Sequence, residues 1–192
     1  KTSVNEIYLY LLTTGYRDVL SELTKEQIHR TEIEKALRHE MIREYGRIYN
    51  FMDIDGKRVL EFWFMQREIE FLKRGLRHLY NKESAEWVED EDEFEEFFEK
   101  HTKINRELVK NAATLDKLIE ACADTPYADV LKRSQTIDAD CFMMAMMLDR
   151  YYYISAWRAK EKYLSGKDKK LFEEIFGIEI DINNIIWIYR SK

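Results

Sequence analysis

Apolar residues recur along this chain at steps of three and four, the spacing that lines one face of an α-helix. Ile33, Leu37, Met41, Tyr45, Ile48 and Met52 keep that step over one long stretch. Val59, Phe62, Trp63, Ile69, Leu72, Leu76 and Leu79 keep it over a second, which ends near Tyr80. Met143, Met144, Met147, Tyr151, Ile154, Trp157 and Tyr163 mark a third. The residues that open helices stand in the right places. Thr24 with Gln27 has the spacing of a capping box, Asp53 or Asp55 precedes the second stretch, and Asp138 precedes the third. Thr125 followed by Pro126 predicts another start, with the proline at the first helical position, where its missing N–H costs nothing. Ser165-Gly166 ends the third stretch. A shorter helix is expected from Asp168 to Phe176, stopped by Gly177. Ile178-Glu179-Ile180-Asp181-Ile182 alternates as a strand does, but no second strand candidate exists to pair with it. The expectation is therefore an extended linker, with Asp181 or Asn183 capping a final helix from Asn183 onward. The fold class that follows is all-α.

One segment occurs twice. Thr14-Gly15-Tyr16-Arg17-Asp18-Val19-Leu20 returns as Thr125-Pro126-Tyr127-Ala128-Asp129-Val130-Leu131, an offset of 111 residues, with Thr, Tyr, Asp, Val and Leu matched in place. Leu37 and Leu148 keep that offset inside the following long helices. Two Asp-Ile doublets, Asp53-Ile54 and Asp181-Ile182, are expected to open the next helix in each copy. Repeated helical units supply one another's cores and build extended surfaces, so the repeat points to architecture before catalysis. It also predicts that Tyr16 and Tyr127 are equivalent packing residues.

Composition supports a folded helical protein. The chain has 192 residues, 45% hydrophobic and 35% charged, and its single proline and six glycines leave few helix breakers. A net charge of −6 argues against nucleic-acid binding, which needs a surplus of Lys and Arg. Cys122 and Cys141 lack metal or disulfide spacing and are expected as buried thiols of a reducing compartment. No apolar run reaches the roughly 20 residues of a membrane span. The beginning at Lys1 and the end inside a helical pattern are expected of a piece of a longer chain.

Around Ser84 the composition changes. Acidic residues crowd the segment from Glu86 to Glu99, with Phe94, Phe97 and Phe98 among them. The expected organisation is a first helical unit over 1–83, acidic connecting helices over 84–111, and a second helical unit over 112–192. A charge run of this kind is ordinarily a solvated face; its functional counterpart is a patch that steers a basic partner.

The closing run from Gly177 to Lys192 contains Glu179-Ile180-Asp181-Ile182, then Asn184-Ile185, Ile188, Arg190 and Lys192. It resembles the signature of the rotary-ATPase C/AC39 family, which comprises the C subunits of V/A-type ATPases and the d subunits of eukaryotic V-ATPases. Thr125, Tyr127 and Leu131 resemble a second element of that family, and so does the earlier copy at Thr14. The resemblance implies a funnel built from three related helical units, of which about two are visible here. It further implies a non-catalytic role on the cytoplasmic side of a membrane. Such a protein sits on the membrane rotor ring, receives the central stalk and couples rotation to ion transport or ATP synthesis. The first copy departs from the pattern, with Gly56-Lys57 and Trp63-Phe64 where the second copy has Asn184-Ile185 and a basic end. Helix faces meant for the missing unit, that of Trp187 among them, are expected to be exposed.

Candidate chemistry is sparse. A phosphate loop needs a glycine five residues before Gly-Lys, and Glu161 and Phe51 stand there instead. His29, His39, His78 and His101 are dispersed, although His29 shares a helix face with Glu32 and Glu34 lies near His39. A di-metal bundle asks for Glu-x-x-His on two helices, and the chain has no such pair. No cofactor, metal or catalytic residue is expected. The Met143, Met144, Met146, Met147 stripe is expected in the core. The residues singled out are Tyr16, Asp18, Tyr127, Asp129, Asp181 and Asn184 as structural motif residues, and Arg190 and Lys192 as candidate partner contacts. Arg190 could equally anchor a neighbouring carboxylate. The rival readings are a helical adaptor or scaffold, and a metal-binding helical-bundle oxidoreductase.

Overall fold

The computed structural model describes residues 3–21, 23, 28–81 and 100–190. The described residues contain helices and no strand. In chain order these are α1 (Val4–Leu11), α2 (Arg17–Leu20), α3 (Arg30–Phe51), α4 (Ile54–Asn81), α5 (Arg106–Lys110), α6 (Leu115–Ala121), α7 (Pro126–Thr136), α8 (Cys141–Tyr163) and α9 (Gly166–Arg190). The all-α expectation holds. The chain divides after Phe51 into two compact units, and α4 groups with α5 through α9. The Thr24–Gln27 capping box and the acidic run from Glu86 to Glu99 lie outside the described residues.

The first unit carries α1, α2 and α3. Ser3 opens α1 with a reciprocal cap: its hydroxyl accepts from the Glu6 N–H at 3.2 Å, and its own N–H donates to Glu6 Oε2 at 3.0 Å. The Tyr8 hydroxyl donates to the Leu20 carbonyl at 3.2 Å, tying α1 to the end of α2. Leu20, Ile33 and Ile42 are buried. The long α3 forms over the stretch expected, but Met41, Ile48 and Met52 from its predicted face are exposed.

The second unit is built around α4 and α8, which pack along each other. Leu72 and Leu76 of α4, Leu118 of α6, Leu131 of α7, and Leu148 and Ala156 of α8 have no exposed surface. Each leucine contributes on the order of 1.5–3 kcal/mol by leaving water. Gly75 lets α4 approach its neighbours: a Cβ there would lie 3.0 Å from Val109 Cγ1 and 3.1 Å from Leu118 Cδ1. Met144 joins the core, whereas Met143 is exposed and Met146 and Met147 are half-buried.

Two corrections concern helix ends. Asp138 does not cap α8; it adopts φ 51°, the left-handed region. The cap is Asp140, which accepts from the Met143 N–H at 2.7 Å. The expected break at Gly177 is also absent. Residues Gly166–Arg190 form one helix, so 178–182 is not an extended linker, and Asp181 and Asn183 cap nothing. The alternation of Ile with Glu and Asp fits a strand locally. A helix wins because it buries Phe176 against α8 while Ile178 and Ile182 turn to the opposite side.

Candidate functional site: the repeated turn, a buried carboxylate and the open face of α9

The two Thr-x-Tyr segments form the same turn. The Thr14 hydroxyl donates to the Leu11 carbonyl at 2.5 Å and accepts from the Tyr16 N–H at 3.4 Å. The Thr125 hydroxyl donates to the Cys122 carbonyl at 2.7 Å and accepts from the Tyr127 N–H at 3.3 Å. Every partner is displaced by 111 residues. The same offset relates Ser3 to Thr114, the N-caps of α1 and α6, and relates the first residues of α3 and α8, Arg30 and Cys141. Leu20 and Leu131 are both fully buried. Asp18 and Asp129 are both exposed, in the first turns of α2 and α7. In helix order α1 to α4 correspond to α6 to α9, and α4 is therefore the counterpart of α9. The Asp-Ile doublets are not equivalent, because Asp53-Ile54 begins α4 while Asp181-Ile182 lies deep inside α9.

The two tyrosines have diverged. Tyr16 is 45% exposed and Tyr127 only 3%, so their expected equivalence as packing residues is wrong. The backbone turn is shared and the side-chain environment is not. Tyr127 reaches into the second unit, where its hydroxyl donates to Glu68 Oε2 at 2.5 Å. The other oxygen of Glu68 accepts from the Thr102 hydroxyl at 2.9 Å and the Lys103 N–H at 2.5 Å. Glu68 is thus a buried carboxylate with three donors, which is how such a group is tolerated in an apolar interior. Burial and the facing carboxylate push the Tyr127 phenol far above its ordinary pKa.

Sequence reasoning missed Glu68. Its signal is position alone: Glu68 lies four residues from both Phe64 and Leu72 on the buried face, whereas Glu70 in the same stretch is only half-buried. It also missed Lys160, whose ammonium bonds Glu173 at 2.7 Å and Glu161 at 3.2 Å and sits 3.4 Å from the Trp157 ring centre. Burial works against the charge of Lys160, but the two carboxylates outweigh it and raise its pKa. On the facing sides of α4 and α8, Lys73 pairs with Asp149 at 2.8 Å. Tyr153 donates to Glu179 at 3.2 Å, and Asn183 donates to Tyr153 at 2.5 Å. These contacts hold α9 onto α8. Burial raises the Asp149 carboxyl against the pull of Lys73, and raises the Cys122 thiol to about 11.

The remaining sequence candidates lie on or near the surface. Asp181, Asn184 and Arg190 are exposed on α9, and no carboxylate among the described residues pairs with Arg190. Lys192 lies outside the described residues. His101 stacks on Phe64, with ring centres 4.6 Å apart. One Glu-x-x-His does occur, Glu26 to His29, and its Glu26 is outside the described residues. No group of three metal-binding side chains converges among the described residues. Trp187 is half-buried against Tyr153, with centroids at 6.3 Å. The open face of α9 is instead the opposite one. Leu171, Ile175, Ile178, Ile182, Ile185 and Tyr189 are all exposed at alternating steps of four and three. That is the seam pattern of a helix that packs against another helix.

The arrangement defines a class: a twofold helical repeat with an unpartnered apolar seam and structural polar contacts. The chain matches the family model described as the ATP synthase (C/AC39) subunit over residues 1–192, and it belongs to that family. It is similar to the C subunit of the A-type ATP synthase of Methanocaldococcus jannaschii, 27% identical over 198 residues, covering 99% of this chain and 47% of that protein. The A-type ATP synthase C subunit of Methanosarcina mazei is 24% identical over 190 residues, covering 98% of this chain and 51% of that protein. Its counterpart in Methanosarcina acetivorans is 25% identical over 191 residues, again covering 98% of this chain and 51% of its own length. The chain therefore spans about half the length of these curated relatives. No solved structure matches it. No described helix is long and apolar enough to cross a membrane.

Proposed function

We propose that this chain is part of a non-catalytic socket component of a V/A-type rotary ATPase. It joins the central stalk to the membrane rotor ring and transmits torque in ATP-driven ion transport or ATP synthesis. It works peripherally, on the cytoplasmic side of the membrane, and its partners are the stalk proteins and the ring. The observation that carries this reading is the family match across all 192 residues. The exposed seam of α9 supports it, because an apolar stripe of this length on a helix calls for a partner. Arg190 follows the last seam residue, Tyr189, with an exposed cation, and Lys192 follows it in sequence.

Affinity purification of the tagged protein from its native membranes tests the reading. Stalk and ring proteins are expected to co-purify in fixed ratio. Recovery of the tagged protein with unrelated partners, and without rotary-ATPase components, would support the helical-adaptor reading instead.

A further inference from the structure

On the side of α9 away from its exposed seam, α8 and α9 diverge to form a groove of about 380 Å³. Its α8 wall presents Arg150, Ile154, Trp157 and Arg158, which fall on one helical face. Ile180, Asn184 and Trp187 form the α9 wall, and Tyr153 lines the floor. The groove is apolar between its ends, and a guanidinium stands at each end of the α8 wall. Arg150 and Arg158 are exposed, and no carboxylate among the described residues pairs with either. Of the nearby acids, Asp149 is engaged with Lys73, Glu179 with Tyr153, and Glu161 and Glu173 with Lys160.

The groove is also held ready. Lys160, itself fixed by two carboxylates, lies against the Trp157 ring, and Trp187 rests edge-on against Tyr153. Two indoles already positioned lose little entropy when an apolar side chain enters between them. Unpaired arginines at the rim of an aromatic cleft favour carboxylates, which they bind through paired N–H donors.

We infer that this groove is a docking site for an acidic segment of another polypeptide. The segment places bulky apolar side chains between the two tryptophans and a carboxylate against each arginine. Eight residues of helix separate Arg150 from Arg158, about 12 Å, which matches two carboxylates two helical turns apart. A single lipid headgroup offers one charge centre rather than two at that spacing. Asn184 adds a neutral donor and acceptor on the opposite wall for the segment's backbone ends.

The test uses a fluorescein-labelled helical peptide of about 15 residues, long enough to hold a helix. It carries leucines between two glutamates set at the Arg150–Arg158 spacing. Parallel peptides replace the glutamates with glutamine or lysine, and vesicles containing phosphatidylglycerol form a separate arm. The glutamate peptide is expected to bind at least about tenfold more tightly than the glutamine one, and Trp157→Ala is expected to abolish binding. The double variant Arg150→Glu, Arg158→Glu is expected to lose the glutamate peptide and gain the lysine peptide. Both positions are exposed, so helical circular dichroism should be unchanged; the gain of the lysine peptide is a readout that unfolding cannot produce. Equal binding of the glutamate and glutamine peptides, no binding of the glutamate peptide, or arginine-dependent binding to vesicles alone would each overturn the proposal.

Discussion

The Thr14 and Thr125 hydroxyls, 111 residues apart, make the same pair of hydrogen bonds, back to a carbonyl three residues earlier and forward to the N–H of a tyrosine two residues on. What differs is burial, since Thr125 is buried and Thr14 only partly so. A buried polar group left without partners costs more than an accessible one that water can reach. Thr125→Val is therefore expected to cost about 1–2 kcal/mol, and Thr14→Val clearly less. Urea unfolding of both variants checks the order; the reverse order would mean that the turn is maintained for another reason.

The Tyr127–Glu68 contact gives a sharper expectation. Tyr127→Phe removes one of three donors from a buried carboxylate and should cost about 1–3 kcal/mol. Tyr16→Phe removes an exposed hydroxyl and should change stability by under about 0.5 kcal/mol. Thermal or urea denaturation separates the two outcomes, and similar losses would argue that the Tyr127 hydroxyl contributes nothing beyond its ring.

Alkaline pH should unfold the protein through its buried phenols. Tyr127, Tyr152 and Tyr153 all have native pKa values raised above the ordinary one, mainly by burial and then by neighbouring carboxylates. In the unfolded chain they ionise near 10. Above that pH the unfolded state releases protons that the native state retains. Each tyrosine thus withdraws about 1.4 kcal/mol of stability per pH unit until its native pKa is reached. Absorbance at 295 nm should show these phenols ionising only together with loss of helical signal. Ionisation of all 12 tyrosines while helicity persists would contradict the burial.

Gly177 lies inside α9 and not at its end, and a Cβ there would meet nothing within 4 Å. Gly177→Ala should therefore stabilise the protein by about 0.5–1 kcal/mol through helix propensity. Gly75→Ala gains the same propensity but must push Val109 and Leu118 aside. Overpacking costs about 1–3 kcal/mol, so a net loss is expected. Thermal melts of the two variants should move in opposite directions.

The long helices were legible because one buried face gives a clear period, as in α4 and α8. The repeat was legible from five matched residues. α9 was misread because it has apolar residues on two sides: Phe172 and Phe176 face α8, while Ile175 and Ile178 face outward. Period analysis looks for one stripe, and two stripes with a central glycine resemble a strand between two short helices. The Tyr127–Glu68 contact was illegible for another reason. It joins residues 59 apart in sequence, and nothing local at either position names its partner. The choice of Asp140 over Asp138 as cap rests on one backbone angle, which composition does not determine.

The most direct test of the proposed coupling role is a comparison of ATP hydrolysis and ATP-driven ion transport in the same membranes. Membranes carrying the rotary complex with the native, full-length protein would be set against membranes depleted of it. The account predicts that the catalytic part continues to hydrolyse ATP while ion transport collapses, and that adding the purified protein back restores transport. Transport that survives depletion, or a soluble catalytic part that cannot hydrolyse ATP unless this protein is added, would contradict it.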